Sequence, residues 1–280
     1  MQLMWSRYQF ARRHRKLLSL DNPSTISDLI NRYKVTVANN YRYYAMYADK
    51  NSLKKIAETR WPEVKTVKTL NTFSDMTDLC VGLYSGKVAL GSILKLSNDC
   101  GSVIVYNGDN QKTIDHFSKK MAEQKGWALR NGEYQYLNRS HILNEMNISS
   151  GKIFDCKFWM SKGEFVMLQM NYGEKVAFLD EECKDFGLKL QIASKIGCHP
   201  TIGKPQNLLG TIDIELLKKM AKKISSEFEF VRVDFMCNAK SGKCYLNELT
   251  FHPSSGLKLF LSNQVQEKIY SKLWRLHANK

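Results

Sequence analysis

The residues most able to do chemistry lie between positions 230 and 250. Phe230-Val-Arg-Val-Asp-Phe235 alternates, with Val231, Val233 and Phe235 on one face and Phe230, Arg232 and Asp234 on the other. Cys244-Tyr-Leu-Asn-Glu-Leu249 reads as the next strand, and Ala239-Lys-Ser-Gly-Lys243 as the turn between them. A hairpin folded symmetrically about Ser241 sets Asp234 opposite Glu248, on the same face, with Cβ atoms roughly 5 Å apart. Two carboxylates that close repel unless a cation stands between them. Mg²⁺ suits the role, because it takes oxygen ligands and commonly bridges one or two carboxylates to phosphates. Arg232 shares that face and can reach a phosphate. The competing reading is a hairpin whose Asp and Glu simply face water, and a bulge in the turn would spoil the register.

The second strand runs into Thr250-Phe-His-Pro-Ser-Ser-Gly256. Its backbone amides can hold an anion, as can those of Asn98-Asp-Cys-Gly-Ser102. Neither stretch is a GxxxxGK[ST] phosphate loop, and no GxGxxG dinucleotide fingerprint occurs. Kinase HRD and DFG signatures and a GxSxG nucleophile elbow are missing too.

The elements that must position these residues are those of an ordinary globular chain. It has 280 residues, 43% hydrophobic and 25% charged, which leaves room for one large domain or two to three small lobes. The formal charge of +15 favours anionic partners without choosing among nucleotide, nucleic acid, acidic glycan and lipid. Arg7, Arg12, Arg13, Arg15 and Lys16 precede the first acid, Asp21. That stretch reads either as a helix lying on a membrane surface or partner, or as a solvated basic helix. No apolar run approaches the roughly 20 residues of a membrane span, and the start lacks a signal-peptide pattern. The expected compartment is the cytoplasm. Seven cysteines include no CxxC pair. Cys198-His199 and Cys237 with Cys244 are candidate metal pairs, with buried free thiols as the alternative.

Helices are expected over 24–34, 51–59, 111–122 and 212–225, the last on a stripe of Leu216, Leu217, Met220, Ala221 and Ile224. Residues 64–70 read as extended and 71–85 as a soft boundary. Strands at 87–96 and 103–106 form one expected hairpin, and strands at 153–160 and 164–170 another. Pro200, Pro205 and several glycines argue against long elements in 176–210.

Several segments, in order, resemble the ATP-grasp superfamily, and more closely its TupA-like branch, associated with teichuronopeptide biosynthesis. Ala48-Asp-Lys50 with Lys54 resembles the Asp-Lys start before a small helix, and Val64-Lys-Thr66 the stretch after it. Ile93-Leu-Lys95-Leu-Ser-Asn98-Asp-Cys-Gly101-Ser102 resembles Leu-Lys-Cys-Asn-His-Gly-Ser-Gly. Gly132-Glu-Tyr-Gln-Tyr136, Ile142-Leu-Asn-Glu145 and Asp155-Cys-Lys157-Phe158 resemble further stretches. Phe230–Asp234 and Glu248–Gly256 are similar to Phe-Val-Arg-Val-Asp and Glu-Leu-Thr-Phe-x-Pro-x-Ser-Gly. There are departures. The 98–102 loop has one glycine fewer, Thr250 stands where many ATP-grasp enzymes have asparagine, and the N-terminal lobe is short.

The resemblance implies an α+β ATP-grasp fold holding the nucleotide between two lobes, after a short N-terminal region. It implies a basic helical region at 1–47 and a short segment at 48–85. A small lobe with the phosphate loop follows at 86–145, then a large lobe with the metal hairpin and a C-terminal helix at 146–280. Lys95 and, less directly, Lys50 would contact phosphates, beneath a loop containing Asn98, Gly101 and Ser102. Glu145 would touch adenine or ribose, and Lys157 the nucleotide, unless Lys157 only pairs with Asp155. Asp234, Glu248 and Thr250 would bind Mg²⁺. Arg232, with Lys95, would act on the transferring phosphate or acylphosphate. The implied reaction is ATP-dependent amide formation through an acylphosphate. An amino acid or small amine would join a uronic acid of a surface polysaccharide or lipid-linked precursor, with residues 1–20 at the inner membrane face. A sugar or small-molecule kinase with His199 or His252 as base, and a polyanion-binding module, are the alternatives. Nucleic acid is not the expected partner, since Asp234 and Glu248 would repel it.

Overall fold

The computed structural model describes residues 2–36, 41–99, 101–128, 140–148, 151–190, 199–257 and 260–261. Along the chain run α1 (Gln2–His14), α2 (Ile26–Thr36), α3 (Tyr41–Ala48), α4 (Lys50–Arg60), β1 (Thr69–Phe73) and α5 (Met76–Tyr84). Then come β2 (Ile93–Leu96), β3 (Ile104–Val105), α6 (Asn110–Ala128), β4 (Ile142–Glu145), β5 (Ile153–Ser161), β6 (Glu164–Tyr172) and β7 (Lys175–Leu179). The remainder is β8 (Lys189–Leu190), α7 (Gln206–Leu209), α8 (Ile214–Ser225), β9 (Val231–Asn238), β10 (Cys244–Thr250), a 3₁₀ turn (Pro253–Gly256) and β11 (Phe260–Leu261). The expected C-terminal helix and Gly132–Tyr136 lie outside the described residues. Among the described residues no helix is long and apolar enough to cross a membrane. The chain divides into two compact units, residues 39–150 and residues 1–38 with 151–280.

The unit of residues 39–150 is built on an antiparallel sheet in the order β1-β4-β2-β3. Its core gathers Phe73, Leu79, Leu83, Leu94, Leu96, Phe117 and Ile142. Helix α4 starts where the Asp49 side chain accepts from the Ser52 amide, a standard N-cap that satisfies an orphan donor. It ends at Trp61, followed by Pro62, whose ring cannot continue a helix. The expected boundary at 71–85 instead holds the end of β1 and all of α5. Asp75 caps α5 through the Asp78 amide at 2.9 Å, and Leu79 and Leu83 fill the core. That helix is nine residues long with Val81 exposed, so it presents too little apolar stripe to show a helical period. Only residues 93–96 of the expected 87–96 strand are strand. Before it the chain turns, with Gly91 at φ +78° donating its amide to the Tyr106 carbonyl.

The other unit is organised by a five-stranded antiparallel sheet, β10-β9-β5-β6-β7. Helix α8 packs against β5, β6 and β9 through Leu217, Ala221 and Ile224, while Leu216 of the expected stripe faces outward. Residues opposite one another in a ladder share a face. Gln169 stands opposite Lys157, Lys157 opposite Asp234, and Asp234 opposite Glu248. One polar row therefore crosses four strands, and the other face carries Cys156, Phe158, Val233 and Phe235 in the core.

Candidate nucleotide and metal sites

In the unit containing residues 151–280, the hairpin β9–β10 brings together four of the residues singled out in the sequence, and the neighbouring strand β5 adds Lys157. Asp234 is sealed from solvent at 1% exposure, and its carboxylate is fully engaged. Arg232 donates from Nε to Oδ1 at 2.7 Å and from Nη2 to Oδ2 at 2.6 Å, and Lys157 donates to Oδ2 at 2.9 Å. The same Nη2 lies 3.1 Å from Thr250 Oγ1 and 3.4 Å from Glu248 Oε1, and Thr250 donates to Glu248 at 2.9 Å. One cationic nitrogen thus sits among oxygens of Asp234, Glu248 and Thr250. That donor set, two carboxylates and a hydroxyl, is what a hard cation such as Mg²⁺ takes. Among the described residues no group of three or more His, Cys, Asp or Glu could hold a metal, so these three residues would need phosphate or water oxygens to complete a shell.

The surroundings raise the pKa of both Lys157 and Asp155. Burial pulls the Lys157 ammonium down, but Asp234, with Asp155 and Glu248, outweighs both burial and Arg232, and its pKa rises. Asp155, 3.4 Å from Lys157, is pushed up by burial, with Lys157 opposing and Asp234 and Glu248 adding to the rise. Lys157 therefore pairs with both acids and not with Asp155 alone. Sequence reasoning missed the continuation of the row into β6. Gln169 accepts from Trp159 Nε1 at 3.2 Å and donates to Asn171 at 2.9 Å. The signal was a lone glutamine inside the apolar run Phe165–Met170.

In the unit of residues 39–150, Lys95 and Glu145 meet at 2.8 Å, both nearly inaccessible. Burial lowers the Lys95 pKa, with Glu145 opposing and Lys50 and Lys54 adding to the fall. Lys54 donates to the other Glu145 oxygen, to the Val67 carbonyl at 2.7 Å and to Thr69 Oγ1 at 2.8 Å. Lys50 donates to the Asp99 carbonyl at 2.8 Å, and so ties α4 to the 98–102 loop. Asn98 accepts from Ser140 at 2.6 Å, and the Ser102 hydroxyl accepts from the Leu96 amide at 3.0 Å. Gly101 stands at φ +90°, a conformation that glycine reaches without strain. Cys100 lies outside the described residues.

The candidate soft-metal pairs fare differently. The Cys156 hydrogen bond, opposed by that of Cys244 and aided by burial, pushes the Cys237 thiol up, and the Cys237 hydrogen bond with burial pushes Cys244 up, both away from the thiolate a metal requires. His199 Nδ1 lies 3.1 Å from the Glu174 carbonyl, and Cys198 is outside the described residues. His252 is buried against the Tyr33 ring, with centroids 5.8 Å apart.

The sequence model described as TupA-like ATP-grasp matches residues 29–272. The chain belongs to the TupA-like ATP-grasp family. Its fold is the ATP-grasp fold, of mixed α+β class, and ATP-grasp ligases use ATP and Mg²⁺. Solved structures similar to it include D-alanine–D-alanine ligase from Helicobacter pylori, at 18% identity and TM-score 0.48, covering 81% of this chain and 61% of that one. L-Amino acid ligase from Bacillus licheniformis is similar at 14% identity and TM-score 0.48, covering 91% and 56%. D-Alanine–D-alanine ligase from Bacillus anthracis, complexed with ATP, is similar at 17% identity and TM-score 0.43, covering 82% and 64%. The chain thus spans less than two thirds of the length of each. No curated protein matches.

Proposed function

We propose that this chain is an ATP-dependent carboxylate–amine ligase that forms an amide through an acylphosphate. The observation that carries the reading is the convergence of Asp234, Glu248 and Thr250 on one cationic nitrogen, within a chain of the ATP-grasp family. These three residues would hold Mg²⁺, which when bound neutralises charge on the phosphates and polarises the transferred group. Arg232 turns its guanidinium from Asp234 to the transferring phosphoryl oxygens, where charge grows in the transition state. Lys157 orients the Asp234 carboxylate and is itself a nucleotide contact. In the unit of residues 39–150, Lys95 and Lys50 bind phosphate. Asn98, Gly101 and Ser102 shape the covering loop, which excludes water from a hydrolysable acylphosphate.

The carboxylate donor in this proposal is a uronic acid of a surface polysaccharide or lipid-linked precursor, and the nucleophile is an amino acid or small amine. The TupA-like family match and the +15 charge, suited to an anionic glycan, support it. The exposed Met4, Tyr8 and Leu17, interleaved with exposed Arg7, Arg12 and Arg15, suit a stretch resting on the inner membrane face.

The test is phosphate release from Mg-ATP against uronic-acid glycans paired with amino acids, with products followed by mass spectrometry. The expected product is a dehydrated adduct whose formation disappears in Asp234→Ala and in Glu248→Ala. A phosphorylated sugar would replace the ligase with a kinase. Absence of both turnover and Mg-dependent ATP binding would end the catalytic assignment.

A further inference from the structure

Glu145 occupies an unusual position for a residue expected to meet a nucleoside. It is 2% exposed, and both carboxylate oxygens are already taken by ammonium groups. In the sheet it lies between β1 and β2, opposite Thr69 on one side and Ile93 on the other. Lys95 is two residues beyond Ile93 on the same face, which makes it the diagonal neighbour of Glu145. Lys54 reaches in from α4 and is pinned by three acceptors: Glu145, the Val67 carbonyl and the Thr69 hydroxyl. A chain of contacts therefore runs from α4 through Lys54 and Glu145 to the Lys95 ammonium.

The charges explain why such a chain is needed. Glu145 acts on Lys95 as a counter-ion, while the Lys50 and Lys54 ammonium groups repel it. A buried ammonium among like charges needs a fixed counter-ion to hold one geometry. With an ammonium on each oxygen and 2% exposure, little of the Glu145 carboxylate is open to a base or a sugar while this pairing stands.

We propose that Glu145 is a positioning residue, acting on the nucleotide through Lys95 by holding that ammonium in place for a phosphate rather than by touching adenine or ribose. Lys54 belongs to the same device, as the group that aims Glu145. The inference rests on the nucleotide reading above.

Two probes separate the possibilities in the full-length chain: Mg-ATP, and Mg-tripolyphosphate, which has the phosphates and no nucleoside. Calorimetric Kd values for wild type and Glu145→Gln are expected to show both probes weakened by the same factor, on the order of 10-fold. Loss of ATP affinity with tripolyphosphate unchanged would mean that Glu145 touches the nucleoside, and would overturn the proposal. Unchanged affinity for both would overturn it as well. Should Glu145→Gln fail to fold by circular dichroism, Lys54→Met decides by the same criterion, with a smaller but equal loss for both probes expected. Wild-type protein that binds neither probe would remove the nucleotide reading itself, a result distinct from either failure of the variant.

Discussion

If the Arg232 guanidinium stands where Mg²⁺ would sit, removing it should tighten divalent-ion binding while damaging turnover. In Arg232→Met the side chain keeps its length and apolar volume but loses its charge. Asp234 keeps the Lys157 ammonium at 2.9 Å, so the buried carboxylate is not stranded and the fold should survive. The Arg232 side chain is only 10% exposed and its Nη2 lies 2.6–3.4 Å from all three metal-ligand candidates. Two unit charges about 4 Å apart interact by ~4 kcal/mol at an effective dielectric of ~20 and by ~1 kcal/mol in water. A middle value of about 2 kcal/mol allows for movement of the guanidinium, and at ~1.4 kcal/mol per decade it amounts to about 30-fold. Mn²⁺ titrated into nucleotide-free protein, followed by electron paramagnetic resonance of the free ion, reads this affinity directly. The expected outcome is a Kd about 30-fold tighter in Arg232→Met, with ligase turnover strongly reduced. An unchanged or weaker Mn²⁺ Kd would refute the idea that this cation occupies the metal position.

Two further outcomes follow from particular contacts. Gly256 sits at φ +67°, and a Cβ there would lie 2.4 Å from Asn31 Nδ2, which is held by the Ser27 and Gly256 carbonyls. Gly256→Ala should cost about 2–5 kcal/mol from backbone strain plus overpacking, visible as a lower urea midpoint and partly recovered in Asn31→Ala/Gly256→Ala. His14 stacks on Phe10, and burial, opposed by Asp28 and reinforced by Lys16 and Arg13, lowers its pKa to about 4. The unfolded chain takes up that proton near the ordinary value of about 6.5. Its contribution to stability is therefore complete above that pH and is lost as pH falls towards 4. Urea midpoints of wild type should decline across this window, and His14→Phe should flatten the decline above pH 5, where carboxylates contribute least.

The Asp234–Glu248 pair was legible in the sequence, though the chain reaches it by another path. Folding about Ser241 pairs Asp234 with Glu248, but the first rungs of the ladder are Cys244 with Cys237, Tyr245 with Met236 and Leu246 with Phe235, one residue off that symmetry. The tighter turn is set by Asn238, whose side chain accepts from the Lys240 and Ser241 amides, and by Gly242 at φ +66°. A bulge between Leu246 and Glu248 then takes up one residue and returns Glu248 to a place opposite Asp234. Here a bulge restores the register that a bulge in the turn was expected to spoil.

Alternation, capping and the apolar stripe of the amphipathic helix were local, so the residues themselves determined strand β9, the hairpins and α8. Backbone period and N-cap chemistry depend on near neighbours alone. What only the tertiary structure decided is which charge each charged side chain meets. Arg232 turns back onto Asp234, Lys157 sits between two acids, and Glu145 is spent on Lys54 and Lys95. Asn31 and Lys34, which carried no signal in the sequence, donate to the carbonyls of Gly256 and Ser255, more than 200 residues away. Such pairings depend on which strands and helices come to lie side by side. No local pattern encodes that, because a buried charge takes whatever opposite charge or hydrogen-bond partner the packing brings within reach.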